Sequence, residues 1–200
     1  MTHPVASSPV RQPRQARSRA GWERVLAAGR ELLESGGYEA LSVSEVCRRA
    51  GITAPSLYAR VDGRAGLFRA VYEDAMREVG ETEDELLSAA GESVEDLVAA
   101  VTEIFDRHAP LLRAVIHRAV EDPWLLQQGS TTSRRLQNRI AAALPGSDLT
   151  DALSAARLIY TECAFRTIYG PRFWTDEPES AASFTARVTV LVERALRIGA

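Results

Sequence analysis

The segment at residues 42–67 constrains the fold more than any other part of the chain, because it predicts two short helices that meet at a sharp angle. Ser42 and Glu45 stand at capping-box spacing, which predicts that the first helix begins there, with the Ser42 side chain and the Glu45 carboxylate each satisfying the other's backbone amide. Gly51 then ends this helix, since glycine takes a positive φ without steric cost. The pattern indicates a helix-turn-helix at about residues 42–61.

The second of these helices is predicted from about Ala54 to Val61, with Thr53 as its cap. Leu57 and Val61 are four residues apart and therefore point together into a small core. The other side chains form a mostly small outward surface: Ala54, Pro55, Ser56, Tyr58, Ala59 and Arg60. Small side chains let the backbone approach base edges in a DNA major groove, whereas the phenol and the guanidiniums, including that of Arg64, suit phosphate oxygens.

Residues 17–72 resemble the DNA-binding domain of the TetR/AcrR family of transcriptional regulators. The matching stretches are Arg24–Leu33 with Gly37-Tyr38, Leu41–Val46 with Ala50-Gly51-Ile52, and Pro55–Val61 with Leu67. The chain departs from the family pattern at Val61, where most members carry an aromatic residue, and at Arg64-Ala65, where they carry a Lys-Glu pair. The resemblance implies a three-helix DNA-binding domain followed by a larger helical domain for ligand binding and dimerisation.

We therefore expect an all-α protein of about nine helices in three parts: a flexible basic arm at residues 1–18, the helix-turn-helix domain at 19–66, and the ligand-binding and dimerisation domain at 67–200. The arm is rich in Pro, Ser, Gln and Arg, so we expect it to be disordered without DNA and to enter a minor groove or follow phosphates on DNA. The alternative is a solvated tail, above all for Arg11 and Arg14. The predicted DNA-binding residues are Arg17, Arg19, Ser42, Ser44, Thr53, Ala54, Pro55, Ser56, Tyr58, Ala59, Arg60 and Arg64.

The charge distribution supports a nucleic-acid partner only after the chain is divided. The whole chain has a net charge of −3. Residues 1–80 hold 12 arginines against 9 acidic residues, whereas residues 81–200 hold 12 arginines against 18. A basic N-terminal part on an acidic body is expected when only one end of a protein meets DNA.

Amphipathic stripes in the last two predicted helices indicate a homodimer. One stripe comprises Phe184, Val188, Leu191, Val192, Ala195 and Leu196, and the other comprises Leu149, Leu153, Ala156, Tyr160, Ala164 and Ile168. Each stripe is wider than one neighbouring helix needs, so we expect these helices to pair with a second copy in a four-helix bundle. The alternative is that both stripes pack inside one subunit.

A pocket for a small, largely apolar inducer is expected in the helical body. Its predicted lining residues are aromatic or amphipathic: Phe105, His108, His117, Trp124, Tyr160, Cys163, Phe165 and Tyr169. Each of these side chains taken alone is more often part of a core than of a pocket. His108 and His117 have no metal-ligand spacing, so neither a metal nor another cofactor is expected.

Other classes of function have less support in the sequence. Gly-x-Ser-x-Gly, phosphate-binding glycine loops, paired histidines and Cys-x-x-Cys do not occur, so no enzyme is expected. Two cysteines, no long apolar run and no signal-peptide pattern favour a cytoplasmic protein without a membrane span. We expect a sequence-specific regulator, most simply a repressor that leaves a palindromic operator when its inducer binds. An architectural helical module is the alternative, and salt-dependent DNA binding would separate the classes.

Overall fold

The structure is a computed structural model that describes residues 16–144 and 148–198. Over these residues the chain forms nine helices and no strand, which confirms the all-α prediction. The helices are α1 (Ala16–Ala40), α2 (Val43–Ala50), α3 (Ala54–Tyr58), α4 (Gly63–Ala89), α5 (Val94–Arg107), α6 (Ala109–Ala119), α7 (Pro123–Ala143), α8 (Leu149–Tyr169) and α9 (Ala181–Ile198).

The chain divides into two compact units, Met1–Glu78 and Val79–Ala200. The division falls inside α4, so this one helix belongs to both units. The expected domain boundary after residue 66 lies near the start of the same helix. Most of the basic arm predicted at residues 1–18, including Arg11 and Arg14, lies outside the described residues.

The N-terminal unit is built on the apolar face of α1. Val25, Leu32 and Leu33 on this face are buried, whereas Trp22 and Leu26 nearer the start of the helix are half-buried. Between them Gly29 lets α4 approach closely, since a Cβ at this position would lie 2.4 Å from Cγ2 of Val71. Absence of a side chain at one helical position therefore sets the distance between α1 and α4 there.

Helix α3 is shorter than the sequence predicts. It ends at Tyr58 rather than near Val61, and the following residues continue as a tight turn in which the amides of Arg60 and Val61 both donate to the carbonyl of Leu57, at 2.9 and 3.2 Å. Val61 is nevertheless buried beside Leu57, as the four-residue spacing predicts. The inward face was thus predicted correctly although the helix boundary was wrong.

The second half of helix α4 contains a charged stretch at residues 81–85. The side chains of Thr82 and Glu83 are buried within the body. Arg135 and Arg139 of α7 both donate to Oε2 of Glu83, at 3.1 and 3.4 Å. The stretch looks solvent-exposed in the sequence, but tertiary contacts with α7 compensate its buried carboxylate.

The body is a bundle in which α8 packs against α5, α7 and α9, while α5 also packs against α9. Phe184, Val188 and Val192 of α9 are fully buried in its core, and so is Ala156 of α8. These members of the two stripes that predict dimerisation are therefore used inside the chain. By contrast, Leu149 of the α8 stripe is exposed, and so is Val190, which precedes Leu191 of the α9 stripe.

We predict opposite effects for the same substitution at two helical glycines. Gly29→Ala should lower the free energy of unfolding by about 1–3 kcal/mol, because the new methyl group overpacks Val71. Gly129→Ala, in α7, meets nothing within 4 Å and should raise it by about 0.5–1 kcal/mol through helix propensity. Urea unfolding followed by circular dichroism measures both variants. Equal effects would contradict the close approach of α1 and α4.

We also predict a pH signature for Glu83. Burial raises the pKa of this carboxyl above its ordinary 4.5 although two guanidiniums oppose the shift. An acid with a raised pKa binds more protons in the folded state, so its contribution to stability falls as pH rises from the unfolded value to the folded one. Unfolding free energies measured against pH should therefore show wild type losing stability relative to Glu83→Gln above about pH 4.5. If wild type instead gains stability relative to Glu83→Gln as the pH rises, the ion pairs of Glu83 outweigh the cost of its burial.

Candidate nucleic-acid interface

The turn between α2 and α3 has the geometry that its residues predict. The Ser42 hydroxyl accepts from the Glu45 amide at 3.2 Å, and Gly51 ends α2 at φ 63°. The Thr53 hydroxyl then caps α3 by accepting from the Ser56 amide at 3.4 Å. The two helices therefore begin and end at side chains and backbone geometries encoded locally.

One half of the predicted capping box is absent. The amide of Ser42 donates to the carbonyl of Ala40 at 2.9 Å instead of to Glu45. The Glu45 carboxylate instead accepts from Arg48 and Arg49, with shortest distances of 2.6 and 2.8 Å. These hydrogen bonds lower the pKa of the Glu45 carboxyl from its ordinary 4.5 to about 2. The charge of the single acidic side chain of α2 is thus compensated by two arginines, neither of which is among the predicted DNA-binding residues.

The outward surface of α3 is exposed and small. Tyr58 is 55% exposed, and four of the other predicted DNA-binding residues on this surface are exposed as well: Thr53, Pro55, Ser56 and Ala59. Ala54 is half-buried. Because Leu57 alone of this helix is fully buried, the rest of α3 is free to meet a flat or grooved partner.

The start of α2 adds two hydroxyl groups to this surface. Ser44 is exposed, Ser42 is half-buried, and their Oγ atoms lie 3.3 Å apart. Arg19 is exposed near the start of α1, whereas the side chain of Arg17 lies outside the described residues. Hydroxyls and backbone amides at a helix start are groups that bind phosphate oxygens.

Arg60 has a structural role that the sequence did not reveal. Its Nη2 donates to the carbonyl of Ser18 at 3.0 Å and also to the Ser18 hydroxyl. Its guanidinium carbon lies 5.4 Å from the centroid of the Trp22 ring. Arg60 therefore connects the end of α3 to the start of α1, and Trp22 provides the aromatic face of that contact.

Arg64 likewise closes the corner between α1 and α2. Its Nε donates to the carbonyl of Leu41 at 2.8 Å, its Nη2 donates to the carbonyl of Tyr38, and its guanidinium carbon lies 4.2 Å from the centroid of the Tyr38 ring. The phosphate contacts expected for Arg60 and Arg64 stay predictions, and they concern side chains that already bind backbone carbonyls.

The eight predicted pocket residues do not come together in one place. Phe105, His108 and Cys163 are buried in the body and Tyr160 is mostly buried. Phe105 packs edge-to-face on Tyr160 at 5.4 Å, and His108 Nε2 lies 3.0 Å from the Thr82 hydroxyl. Burial raises the pKa of the Cys163 thiol to about 12, so this cysteine is a packed thiol rather than a reactive one.

The other four predicted pocket residues lie elsewhere. Phe165 and Tyr169 join an aromatic cluster at the end of α8, whereas His117 is exposed on α6 and Trp124 is half-buried on α7. Phe165 is the one predicted residue that lines a cleft of about 270 Å³ between α8, the following segment and α9. In the described part of the chain no cluster of side chains has the composition of a metal site.

Residues 25–71 match the family model described as bacterial regulatory proteins, tetR family. A search of curated proteins finds no significant match. Among the residues that the structure describes, no helix is both long and apolar enough to cross a bilayer.

Several solved structures share the fold along most of the chain. A transcriptional regulator from Rhodococcus sp. RHA1 superposes with a TM-score of 0.71 at 20% identity, over 88% of this chain and 95% of that one. A TetR-like regulator from the same organism gives 0.69 at 17% identity, over 94% and 99%. GusR of Salmonella enterica gives 0.68 at 16% identity, over 92% and 100%.

These similarities agree with the helix-turn-helix geometry and the exposed face of α3. The family model covers the part of the chain that forms α2 and α3, and the likeness to solved structures extends the same fold to the helical body. Residues 25–71 therefore match the tetR family of bacterial regulatory proteins, and the chain shares the fold of solved transcriptional regulators along most of its length.

Proposed function

We propose that this regulator is a homodimeric repressor that binds a palindromic operator and leaves it when a small ligand binds to the body. The exposed, mostly small face of α3 carries the proposal. Ser56 and Ala59 present little bulk on that face, which suits contact with base edges in the major groove. Tyr58, 55% exposed, has a hydroxyl suited to a phosphate at the border of that face.

Exposed apolar side chains on α8 and α9 support dimerisation through these helices. Leu149 is 73% exposed and Val190 is 45% exposed, while Leu153 and Leu191 are half-buried. Apolar side chains at such positions favour a partner surface. To contact successive major grooves on one face of DNA, the proposed dimer would need its two copies of α3 about 34 Å apart.

Helix α4 supports the proposed response to a ligand. Its first part packs in the N-terminal unit, where Phe68 meets the Tyr38 ring edge-to-face at 5.2 Å. Its last part carries Glu83, which the two arginines of α7 hold. A ligand that binds more tightly to one position of the body helices would shift the position of α4. The spacing between the two copies of α3 in the dimer would then change, with a coupling between ligand binding and DNA binding of about 1–3 kcal/mol.

The function is tested by selecting DNA fragments of the source genome that the full-length protein binds and by placing a reporter behind the selected promoter. A repressor should lower reporter expression in the absence of ligand, and its affinity should fall steeply between low and moderate salt. Higher expression would indicate an activator. Binding without salt dependence would contradict the proposed phosphate contacts.

We predict that the outward face of α3 determines sequence preference. Ser56→Gln and Ala59→Gln should change the preferred operator by about 1–3 kcal/mol per affected base pair and leave non-specific affinity nearly unchanged, because these side chains face base edges. Tyr58→Phe is the control, since loss of a phosphate contact should weaken operator and non-operator DNA alike. Binding-site selection with each variant decides the matter, and an unaltered preference would exclude the proposed orientation.

We predict that Arg64 contributes more to the stability of the fold than to DNA affinity. Arg64→Ala should lower the free energy of unfolding by about 1–3 kcal/mol, because the Leu41 and Tyr38 carbonyls lose charged donors. Arg48→Ala is the matched control: its side chain is 69% exposed, and its removal should leave the urea midpoint nearly unchanged. Urea unfolding measures both. If Arg64→Ala changes only the salt dependence of DNA binding, its main role is a phosphate contact.

A further inference from the structure

The cleft at the end of α8 has features that packing of the bundle does not require. Tyr169, Phe173 and Trp174 lie within six residues and are 56%, 48% and 74% exposed. Large aromatic side chains grouped at the surface mark a binding site more often than isolated ones do. Phe173 and Trp174 also line the cleft, which has a volume of about 270 Å³.

The chain after α8 folds back on itself and holds these aromatic side chains in a defined arrangement. Gly170 leaves the helix at φ 83°, and the amide of Glu179 donates to the carbonyl of Pro171 at 2.9 Å, which closes the segment. The rings of Phe165 and Trp174 are nearly parallel, 10° apart in plane and 5.5 Å between centroids. The Phe173 ring meets both of them edge-on.

The charged groups of the cleft compensate one another. Arg187 donates to Glu179 at 2.9 Å and to Glu162 at 3.0 Å. Arg166 donates to Asp106 at 3.4 Å and to the Glu179 carbonyl at 3.0 Å. Both guanidiniums lie about 5 Å from the ring centroid of the buried Phe184.

This balance selects the charge of a ligand. A charged molecule finds no unpaired group of opposite charge among Arg187, Glu162 and Glu179, so it would lose hydration without gaining a new ion pair. An uncharged planar ring can instead stack on Trp174 and Phe173 without breaking any ion pair. The cleft is slightly smaller than typical pockets for drug-sized ligands, which span about 300–1,000 Å³.

We propose that this cleft binds a small, uncharged, planar aromatic molecule. The inference names a ligand class for the proposed ligand-responsive regulator and rests on that proposal for its biological role. It differs from the pocket expected at Phe105, His108 and Tyr160, because those side chains pack on each other or on Thr82 inside the bundle.

The test is direct binding of two fluorescent probes to the full-length protein without DNA. N-phenylnaphthylamine is uncharged at neutral pH, and anilinonaphthalene sulfonate has the same ring skeleton with an added negative charge. We expect saturable binding of one uncharged probe per chain and at least tenfold weaker binding of the charged one. Trp174→Ala and Phe173→Ala should each weaken the uncharged probe by about five- to tenfold, whereas Leu126→Ala, at a residue 58% exposed on α7, should not.

Four results would overturn the proposal: no binding of the uncharged probe, tighter binding of the charged probe, equal loss in the Leu126 variant, or unchanged binding in both aromatic variants. Sedimentation of Trp174→Ala also measures whether the variant is a dimer or a monomer. A shift from dimer to monomer would assign these aromatic residues to contact with a second copy. Because DNA is absent from this test, a failure to repress in the reporter experiment leaves its result intact, and failure here leaves DNA binding by the regulator intact.

Discussion

The proposed DNA-binding surface depends on how the five-residue helix α3 is held in place. An isolated helix as short as α3 is not stable in water, because it cannot offset the entropic cost of its first turn. Leu57, fully buried, anchors α3 from below, and Thr53 caps its start. The left-handed turn at Gly51 sets its direction relative to α2. Every other side chain of α3 can face outward because these three residues fix its position.

Arginine side chains extend this support well beyond the turn. Arg24 of α1 donates to the carbonyl of Ala50 at 2.8 Å, at the last residue of α2. Arg60 and Arg64 also bind backbone carbonyls of the N-terminal unit, and Arg113 donates to the carbonyl of Thr167 at 2.8 Å in the body. The rigid, forked guanidinium suits such contacts, since one side chain can satisfy several carbonyls at helix ends. Much of the positive charge of the N-terminal unit therefore also stabilises it.

The body combines an apolar core with a few buried polar contacts on α4. Thr82 and Glu83 bind His108 and the arginines of α7, so the end of α4 is held by charge and hydrogen bonds as well as by apolar packing. Such contacts have strict geometry, and they respond to small displacements more sharply than apolar contacts do. This property suits a helix that is shared between a DNA-binding unit and a proposed ligand-binding unit.

The sequence by itself determined the helix-turn-helix, because each of its signals is local. The Ser42 and Thr53 caps, the turn at Gly51 and the inward pair Leu57 and Val61 act within a few residues of one another, and all have the predicted geometry. Helical periodicity likewise predicted apolar faces on the last two helices.

Only the tertiary structure decided which partners the long-range side chains choose. Glu45 pairs with arginines rather than with its own helix start, and Arg64 binds two carbonyls more than twenty residues before it. Phe184 and Val188, predicted for an interface, fill the core of their own chain, and the predicted pocket residues separate into different places. Hydrophobic periodicity states that a face is buried but not against what, and an arginine can reach any acceptor that folding brings near. For this reason the sequence could not predict the cleft beside Trp174, which is formed by residues that only folding brings together.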